Sequence, residues 1–182
     1  MRESSAGDDV VVVVSYDPRW RELFEAEASR LRHSLRETAV RIVHVGSTAV
    51  PGLAAKPVID IQVSVPALEP TEPYAAPLEE LGYGNWRDVH DPDHRFCRDD
   101  PRRHHIHLVT AGSAMESDRP LFRDYLRVNS EVRRSYAELK IAAARSVGHD
   151  RDRYASSKEE FIESALRAGR AWAIDTGWTM EP

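Results

Sequence analysis

Two apolar strands joined through a Gly-Ser turn, at residues 40–65, constrain the fold of this chain more than any other segment. VRIVHV at 40–45 predicts a strand that ends directly at Gly46-Ser47, and PVIDIQVSV at 57–65 predicts a second strand. Side chains alternate along a strand, so one face of 57–65 is an apolar core face. The opposite, polar face carries Val58, Asp60, Gln62 and Ser64.

The rest of the first half predicts one helix before this pair of strands, one helix after it, and further strands. Five valines at 10–14 predict a buried strand. Shorter strands are predicted at HRFCRD and at RRHHIHLVT, and a short helix from about Tyr74 to Gly82. Asp17 and Pro18 predict the start of an amphipathic helix. Its apolar face consists of Trp20, Leu23, Phe24, Ala28, Leu31 and Leu35.

Beyond Gly112 the chain has helical periodicity throughout. The first helix is predicted to open at Asp118 and Pro120, with a break at Asn129-Ser130. A last helix is predicted from Ser157, which would form a capping box with Glu160. These patterns predict an α+β fold, with a mixed sheet of about five strands, flanking helices and a helical C-terminal half. One domain is expected over 10–175, with disordered tails at 1–9 and 179–182.

Composition excludes several classes of protein. With 41% hydrophobic and 30% charged residues, the chain has the composition of a soluble globular protein, and its apolar runs are too short to cross a membrane. A net charge of −5 argues against binding to duplex nucleic acid. Cys97 is the single cysteine, so no intrachain disulfide can form, and it is interpreted as a buried structural residue. The polar, acidic start does not resemble a secretion signal, which predicts a cytoplasmic protein.

Lysine is rare in this sequence. Of its 25 basic residues, only Lys56, Lys140 and Lys158 are lysines. Lys140 and Lys158 fit solvated side chains as well as functional ones. Lys56 is the stronger candidate because it lies between the Gly-Ser turn and Asp60.

The chemistry indicated by the turn is phosphate binding. Gly46 permits close approach of the backbone, and Ser47 and Thr48 supply hydroxyl groups that can bind phosphate oxygens. Asp60, on the polar face of the next strand, is a candidate ligand for a hard cation such as Mg²⁺. Together these residues favour attack on a nucleotide phosphate.

A strand that ends in Gly-Ser, followed by an Asp flanked by isoleucines, resembles the signature of the nucleotidyltransferase superfamily. That family has a second acid two residues after the first, where this chain has Gln62. A glutamine lacks the charge that a paired-carboxylate site uses to hold two metal ions. The segment HHIHL offers His105 and His107 instead, and a set of Asp60, His105 and His107 would suit Mn²⁺ or a transition metal better than Mg²⁺.

Several segments also resemble one narrower group, the GrpB family. They are HVGSTAVPGLAAKPVIDIQV at 44–63, YDPRW, HHIHL, LFRDYLR, YAELK and YASSKEEFI, in the order of that family and over roughly 10–172. The resemblance implies a nucleotidyltransferase fold and occasional fusion to dephospho-coenzyme A kinase. The family's own reaction is largely undefined.

The predicted site therefore combines a metal, a nucleoside triphosphate and a small acceptor. The predicted catalytic residues are Asp60, Lys56 and His107, and the predicted metal ligands are Asp60, His105 and His107. The predicted nucleotide-binding residues are Gly46, Ser47, Thr48 and Arg123. Gly46, Ser47, Lys56, Asp60 and His107 are expected to line one cleft, with Gln62, His105 and Arg123 at its rim.

Two functions remain open on the sequence. One is nucleotidyl or phosphoryl transfer to a small acceptor, and the other is a non-catalytic module that binds a nucleotide or phosphate ligand. Gln62 favours the module, whereas His105 and His107 favour the enzyme if they bind a metal. His44 is interpreted as a core residue. Arg123 and Arg127 lie one helical turn apart and fit either a phosphate site or an exposed, ion-paired helix face.

Overall fold

The computed structural model describes residues 10–87 and 93–180. The strands are β1 (Arg41–Val45), β2 (Ile59–Val65), β3 (Gly84–Arg87), β4 (His94–Arg98) and β5 (His104–Thr110). The helices are α1 (Arg19–Leu35), α2 (Glu72–Glu80), α3 (Ala114–Val128), α4 (Ser130–Val147), α5 (Arg151–Ser156) and α6 (Glu159–Thr176). Short 3-10 turns cover Arg36–Thr38 and Ser47–Ala49. The predicted tail at 1–9, and residues 181–182 of the one predicted at 179–182, lie outside the described residues.

The five strands form one mixed sheet in the order β1-β2-β5-β4-β3. β2 and β5 are parallel, and the other three pairings are antiparallel. In the parallel register Asp60 pairs with His105 and Gln62 with His107, so these four side chains share one face of the sheet. The predicted α+β architecture, with a mixed sheet and a helical C-terminal half, is confirmed.

The two faces of the sheet are covered by different helices. α1 and α2 pack on the face that carries Ile59, Ile61, Val63 and Val65, and this contact forms the main hydrophobic core. α3 crosses the opposite face, where it contacts β1 and β5, and α6 packs on α3. The site residues of β2 and β5 therefore lie between the sheet and the helical half.

The N-terminal prediction needs two corrections. Residues 10–14 do not form a sheet strand, since a single bridge between Val14 and Ala55 is their only β-pairing among the described residues. Val11 instead packs in a cluster with Ala143 and Tyr154 of the helical half. In α1 the predicted face is largely buried, but Leu23 is exposed. A β-branched run favours a strand only where a neighbouring strand can complete its hydrogen bonds.

Helix starts in the second half also differ from the prediction. α3 begins at Ala114, before Asp118, and places Pro120 inside the helix. The break at Asn129 is confirmed, since its side chain accepts a hydrogen bond from the Val132 N–H and caps α4. The predicted capping box is wrong, because the Ser157 hydroxyl donates to the Tyr154 carbonyl instead. β3 and α5 have no counterpart in the prediction.

The polar face of β2 is buried beneath α3. Pro120 has no N–H, so the carbonyl of Glu116 one turn earlier cannot form its usual helical hydrogen bond. The Gln62 carboxamide fills this role, and its Nε2 donates to that carbonyl at 2.8 Å. The Glu116 carboxylate accepts from the Gly112 N–H and pairs with Arg41 of β1. This buried network fixes α3 across the sheet.

Candidate functional site

Asp60 is the centre of a cluster of imidazoles on the second face of the sheet. His105 Nδ1 lies 2.9 Å from Asp60 Oδ1, and His107 Nε2 lies 3.6 Å from the same oxygen. Burial opposes ionisation of Asp60, but the two imidazoles more than offset it and hold the pKa of this carboxyl well below its usual range. Asp60 is therefore a carboxylate at neutral pH. The predicted proximity of Asp60 and His107 is confirmed.

Gly46 packs directly against Asp60. Its φ of 69° lies in the left-handed region, and a Cβ built on it would lie 2.9 Å from the Asp60 Cβ and still closer to Oδ2. Only glycine fits this position without moving the carboxylate. The turn and the acid are thus brought together by close backbone approach, as the sequence predicts.

A cavity of about 430 Å³ opens beside this contact. Gly46, Ser47, Asp60 and His107 line its sheet side, and Tyr136 and Lys158 come from the helical half. Its remaining wall is partly apolar and includes Met115, Phe122, Ile162 and Leu166. A volume of this size suits a small organic ligand.

All three lysines lie near this cavity, and Lys158 lines it, whereas Lys56, which was expected to line it, does not. The Lys56 and Lys158 Nζ atoms lie 4.9 and 4.1 Å from the centroid of the same ring, that of Tyr154. Lys140 Nζ lies 4.7 Å from the Tyr136 centroid and donates to the Ala54 carbonyl. Lys140 is only 2% exposed, so it is not the solvated side chain that the sequence left open.

The lysines are held in an environment that disfavours their charge. Burial, followed by the charge of Lys158, lowers the pKa of Lys140 to about 7, and burial and Lys56 lower the pKa of Lys158 to about 8. Burial also lowers the pKa of Lys56. The carboxylate of Asp60 acts in the opposite direction on all three groups. An anion bound near these lysines would stabilise their charged forms.

Some predicted site residues lie elsewhere. Thr48 is buried on the other side of the turn, where its hydroxyl hydrogen-bonds His44 Nε2 at 2.9 Å. Arg123 is also buried, pairs with Asp124 and donates to the His44 carbonyl, so its predicted place at the rim is wrong. Thr48 and Arg123 line a separate cavity of about 400 Å³. Gln62 is turned to α3 and is fully buried, so it is not at the rim either.

His44 is a core residue, as predicted from the sequence. Its ring stacks on Phe24 with centroids 4.7 Å apart. Burial lowers the pKa of His44 to about 4, so the ring is neutral at physiological pH.

Four residues near the site were not identified by sequence analysis: His94, Arg119, Tyr136 and Tyr154. His94 Nε2 lies 3.1 Å from His107 Nδ1, and Arg119 Nη2 lies 3.2 Å from the same His94 nitrogen. The two tyrosines belong to YAELK and YASSKEEFI, the segments that also hold Lys140 and Lys158. The sequence did contain a signal for the two tyrosines, because each is followed four residues later by one of the rare lysines.

The side chains do not fit a divalent ion in the arrangement they adopt. His105 Nδ1 and Asp60 Oδ1 bond to each other, and Gln62 is engaged by α3. Within 10–87 and 93–180, no group of three His, Cys, Asp or Glu side chains is placed to hold a metal. A requirement for Mg²⁺ or Mn²⁺ stays a prediction from the sequence.

The profile of the family described as GrpB protein matches residues 10–168. The chain belongs to the GrpB family. A crystal structure of the conserved protein GrpB from Enterococcus faecalis is similar to it, with 33% identity, a TM-score of 0.80 and coverage of 88% of this chain and 99% of that one. The GrpB fold of this chain is therefore also that of a solved relative.

Curated relatives of this GrpB chain differ in their descriptions. A UPF0157 protein of Pseudomonas aeruginosa is 42% identical, covering 94% of this chain and 72% of the relative. A dephospho-CoA kinase of Mycobacterium leprae is 31% identical and matches 92% of this chain, but only 48% of its own length is covered. None of the helices in the described part of the chain is long and apolar enough to cross a bilayer.

Proposed function

We propose that the cavity beside Asp60 binds a nucleotide through its phosphates and transfers a nucleotidyl or phosphoryl group to a small acceptor. The observation that carries this proposal is the convergence of Lys56, Lys140 and Lys158, the chain's only lysines, around Tyr136 and Tyr154. A polyphosphate supplies several negative charges within a few ångströms and would relieve the repulsion among these cations.

The wall of the cavity supports a nucleotide rather than a bare phosphate. Lys158 and the Ser47 hydroxyl provide polar lining, while Phe122, Ile162 and Leu166 provide apolar surface. A nucleotide has the same division, with charged phosphates joined to a base that packs on apolar side chains. Tyr136 also lines the cavity and interacts with Ser47.

The proposed roles follow from position. Ser47 and the Gly46 turn contact the phosphates, and the lysines neutralise the charge that develops during transfer. Asp60 would orient the reacting groups next to the turn. Residues in fixed positions accelerate phosphoryl transfer mainly by orientation and charge stabilisation, and neither requires a covalent intermediate on this chain.

A non-catalytic binding module is the second candidate, and Gln62 favours it. Gln62 stands where the nucleotidyltransferase superfamily carries a second acid. Its carboxamide instead donates a hydrogen bond to the Glu116 carbonyl. A chain with the lysine cluster but no acid at position 62 could bind phosphates without turning them over.

Thermal unfolding with a panel of phosphates separates these functions. Inorganic phosphate, triphosphate, AMP and the four nucleoside triphosphates would be tested with Mg²⁺, with Mn²⁺ and with a chelator. A ligand at 100 times its dissociation constant adds about 2.7 kcal/mol, which for a chain of this size raises the midpoint by roughly 5 to 10 °C. Lys158→Gln should remove the shift, whereas Arg134→Gln, the loss of an exposed charge on α4, should leave it unchanged.

Two further variants assign the mode of binding. A shift that needs a divalent ion and vanishes in Asp60→Ala supports a metal-nucleotide site, and analysis of products from the best nucleotide then tests transfer. A shift that survives in Asp60→Ala with chelator but is lost in Ser47→Ala favours the binding module. The absence of a shift with every phosphate would contradict both functions.

A further inference from the structure

Asp118 of α3 is a second carboxylate on the wall of the candidate cavity. Met115, Arg119 and Phe122 of the same helix also line the cavity, so one side of α3 runs along it. The Asp118 side chain is 32% exposed, and its Oδ1 accepts a hydrogen bond from Arg170 Nη2 of α6 at 2.7 Å. The carboxylate therefore borders the ligand space on α3 and is held from α6.

The position of Asp118 along the cavity follows from α6. Lys158, Ile162 and Leu166 line the cavity at four-residue intervals, and Arg170 is the next residue of this series. A helix rises about 1.5 Å per residue, so Arg170 follows Lys158 by about 18 Å along the axis. Because Asp118 pairs with Arg170, it lies at the end of the cavity remote from Lys158.

The ion pair between Asp118 and Arg170 contributes little to the packing of α3 on α6. The two helices already approach closely at Gly169, where an added Cβ would lie 3.4 Å from the Tyr125 Cβ. The Arg170 side chain is 56% exposed, and ion pairs in such surroundings stabilise a protein only slightly. A carboxylate has about four acceptor positions, so Asp118 can accept from a ligand while it accepts from Arg170.

A carboxylate at this end of the cavity would discriminate between nucleotide bases. With the phosphates near Ser47 and Lys158, the base extends over the apolar wall towards Asp118. The two oxygens of a carboxylate accept two parallel hydrogen bonds, and guanine presents two adjacent N–H donors, at N1 and N2. Adenine and cytosine present a ring nitrogen acceptor beside the amino group, and uracil presents one N–H between two carbonyl oxygens. An acceptor that faces a carboxylate leaves both groups without a hydrogen, which is unfavourable.

We propose that Asp118 selects the base and that the nucleotide of this cavity is a guanine nucleotide. The Asp118 carboxylate accepts from guanine N1–H and N2–H, and Arg170 is a positioning residue that orients the carboxylate. This inference rests on the proposed function, since it takes the phosphates to lie at the lysine end. It adds the identity of the base, which the lysines do not determine.

The base preference is measured by calorimetry with GTP, ATP, CTP and UTP. Wild-type protein should bind GTP about 10- to 100-fold more tightly than the other three, the discrimination expected from one bidentate pair with a base. Asp118→Asn replaces one of the two acceptors with a donor. Xanthosine triphosphate, whose base has N1–H beside a C2 carbonyl, matches that arrangement, so the preference should change from GTP to this nucleotide. Inorganic triphosphate should bind the variant at least as tightly as wild type, because a negative charge has been removed.

Two control variants separate base recognition from a general effect of charge. Glu163→Gln removes an exposed carboxylate from α6 and should keep the preference for GTP. Arg170→Gln removes the ion pair but keeps the Asp118 carboxylate, so GTP should remain the preferred nucleotide. Equal loss of the preference in Asp118→Asn and Arg170→Gln would overturn the proposal, because the ion pair and not the carboxylate would then determine it.

The result for wild type also distinguishes this inference from the proposed function. Equal affinity for the four nucleotides, or a preference for GTP that persists in Asp118→Asn, would overturn the role of Asp118 and leave nucleotide binding in place. Failure of both the nucleotides and inorganic triphosphate to bind would contradict the proposed function and this inference together.

Discussion

Gly46 contacts the Asp60 side chain so closely that a Cβ at position 46 would overlap its carboxylate. The turn after β1 and the acid on β2 are therefore a single structural unit. β1 and β2 pair in antiparallel register, with Val45 opposite Asp60, which places the turn at the end of the strand that carries the acid.

Substitution Gly46→Ala should displace Asp60 and abolish ligand binding. Gly52 offers a matched control, because its φ of 78° is similar but a Cβ there would meet no atom within 4 Å. Both variants acquire the strain of an alanine at positive φ, about 1 kcal/mol. Thermal unfolding should thus show a larger loss in Gly46→Ala than in Gly52→Ala. Equal losses of stability in the two variants, with phosphate binding retained in both, would contradict the close contact between Gly46 and Asp60.

The buried Gln62 carboxamide predicts that an acid at this position destabilises the chain. Gln62→Glu removes the donor to the Glu116 carbonyl and buries a carboxylate next to Glu116. We expect the free energy of unfolding to fall by about 2 kcal/mol or more, because a buried polar group loses its partner and a charge is buried. Chemical denaturation measures this loss.

Gln62→Met is the control, since it keeps the size of the side chain and adds no charge. It should cost less than Gln62→Glu. A Gln62→Glu protein as stable as wild type would contradict the structural role of this amide.

Sequence reasoning placed correctly those residues whose positions depend on local alternation and strand pairing. Asp60, His105 and His107 lie on one face because the period of a strand fixes it. The positions of Gly46 and Ser47 beside Asp60 were also predicted correctly, because a turn after one strand must lie near the end of the neighbouring strand.

The remaining residues depend on long-range packing, which no local pattern encodes. Lys140 lies on α4 and Lys158 directly precedes α6, so both reach the site only through the packing of the helical half. Thr48 faces away since the 3-10 turn at Ser47–Ala49 directs it to His44 and α1. Arg123 has a sequence setting typical of an exposed helix face, but the packing of α3 on β1 buries it.

His44 predicts a loss of stability in acid. Its pKa of about 4 in the folded protein lies below the unfolded value of 6.5, so the unfolded chain binds more protons between these values. Stability therefore falls as the pH falls from about 6.5 to about 4, at a rate of up to about 1.4 kcal/mol per pH unit for this residue.

His44→Gln should reduce the slope of the free energy of unfolding against pH by up to the equivalent of one bound proton. Urea unfolding between pH 7 and 4.5 measures this slope. His33→Gln, which removes an exposed histidine from α1, is the control. An identical slope in His44→Gln and His33→Gln would show that His44 is not the neutral, buried group described by its contacts with Phe24 and Thr48.

The lysine cluster predicts that phosphate binding weakens in alkali. Lys140 and Lys158 have pKa values of about 7 and 8 in the free protein, and an anionic ligand binds their protonated forms. Between pH 7 and 9 the affinity for inorganic triphosphate should therefore fall, by up to tenfold per pH unit for each lysine that must regain a proton. Calorimetry in buffers of different ionisation enthalpy measures both the affinity and the proton uptake. Lys140→Met should reduce the uptake by about one proton and weaken binding, while Arg134→Gln should change neither. Proton uptake that is the same in Lys140→Met and wild type would place the triphosphate outside the lysine cluster.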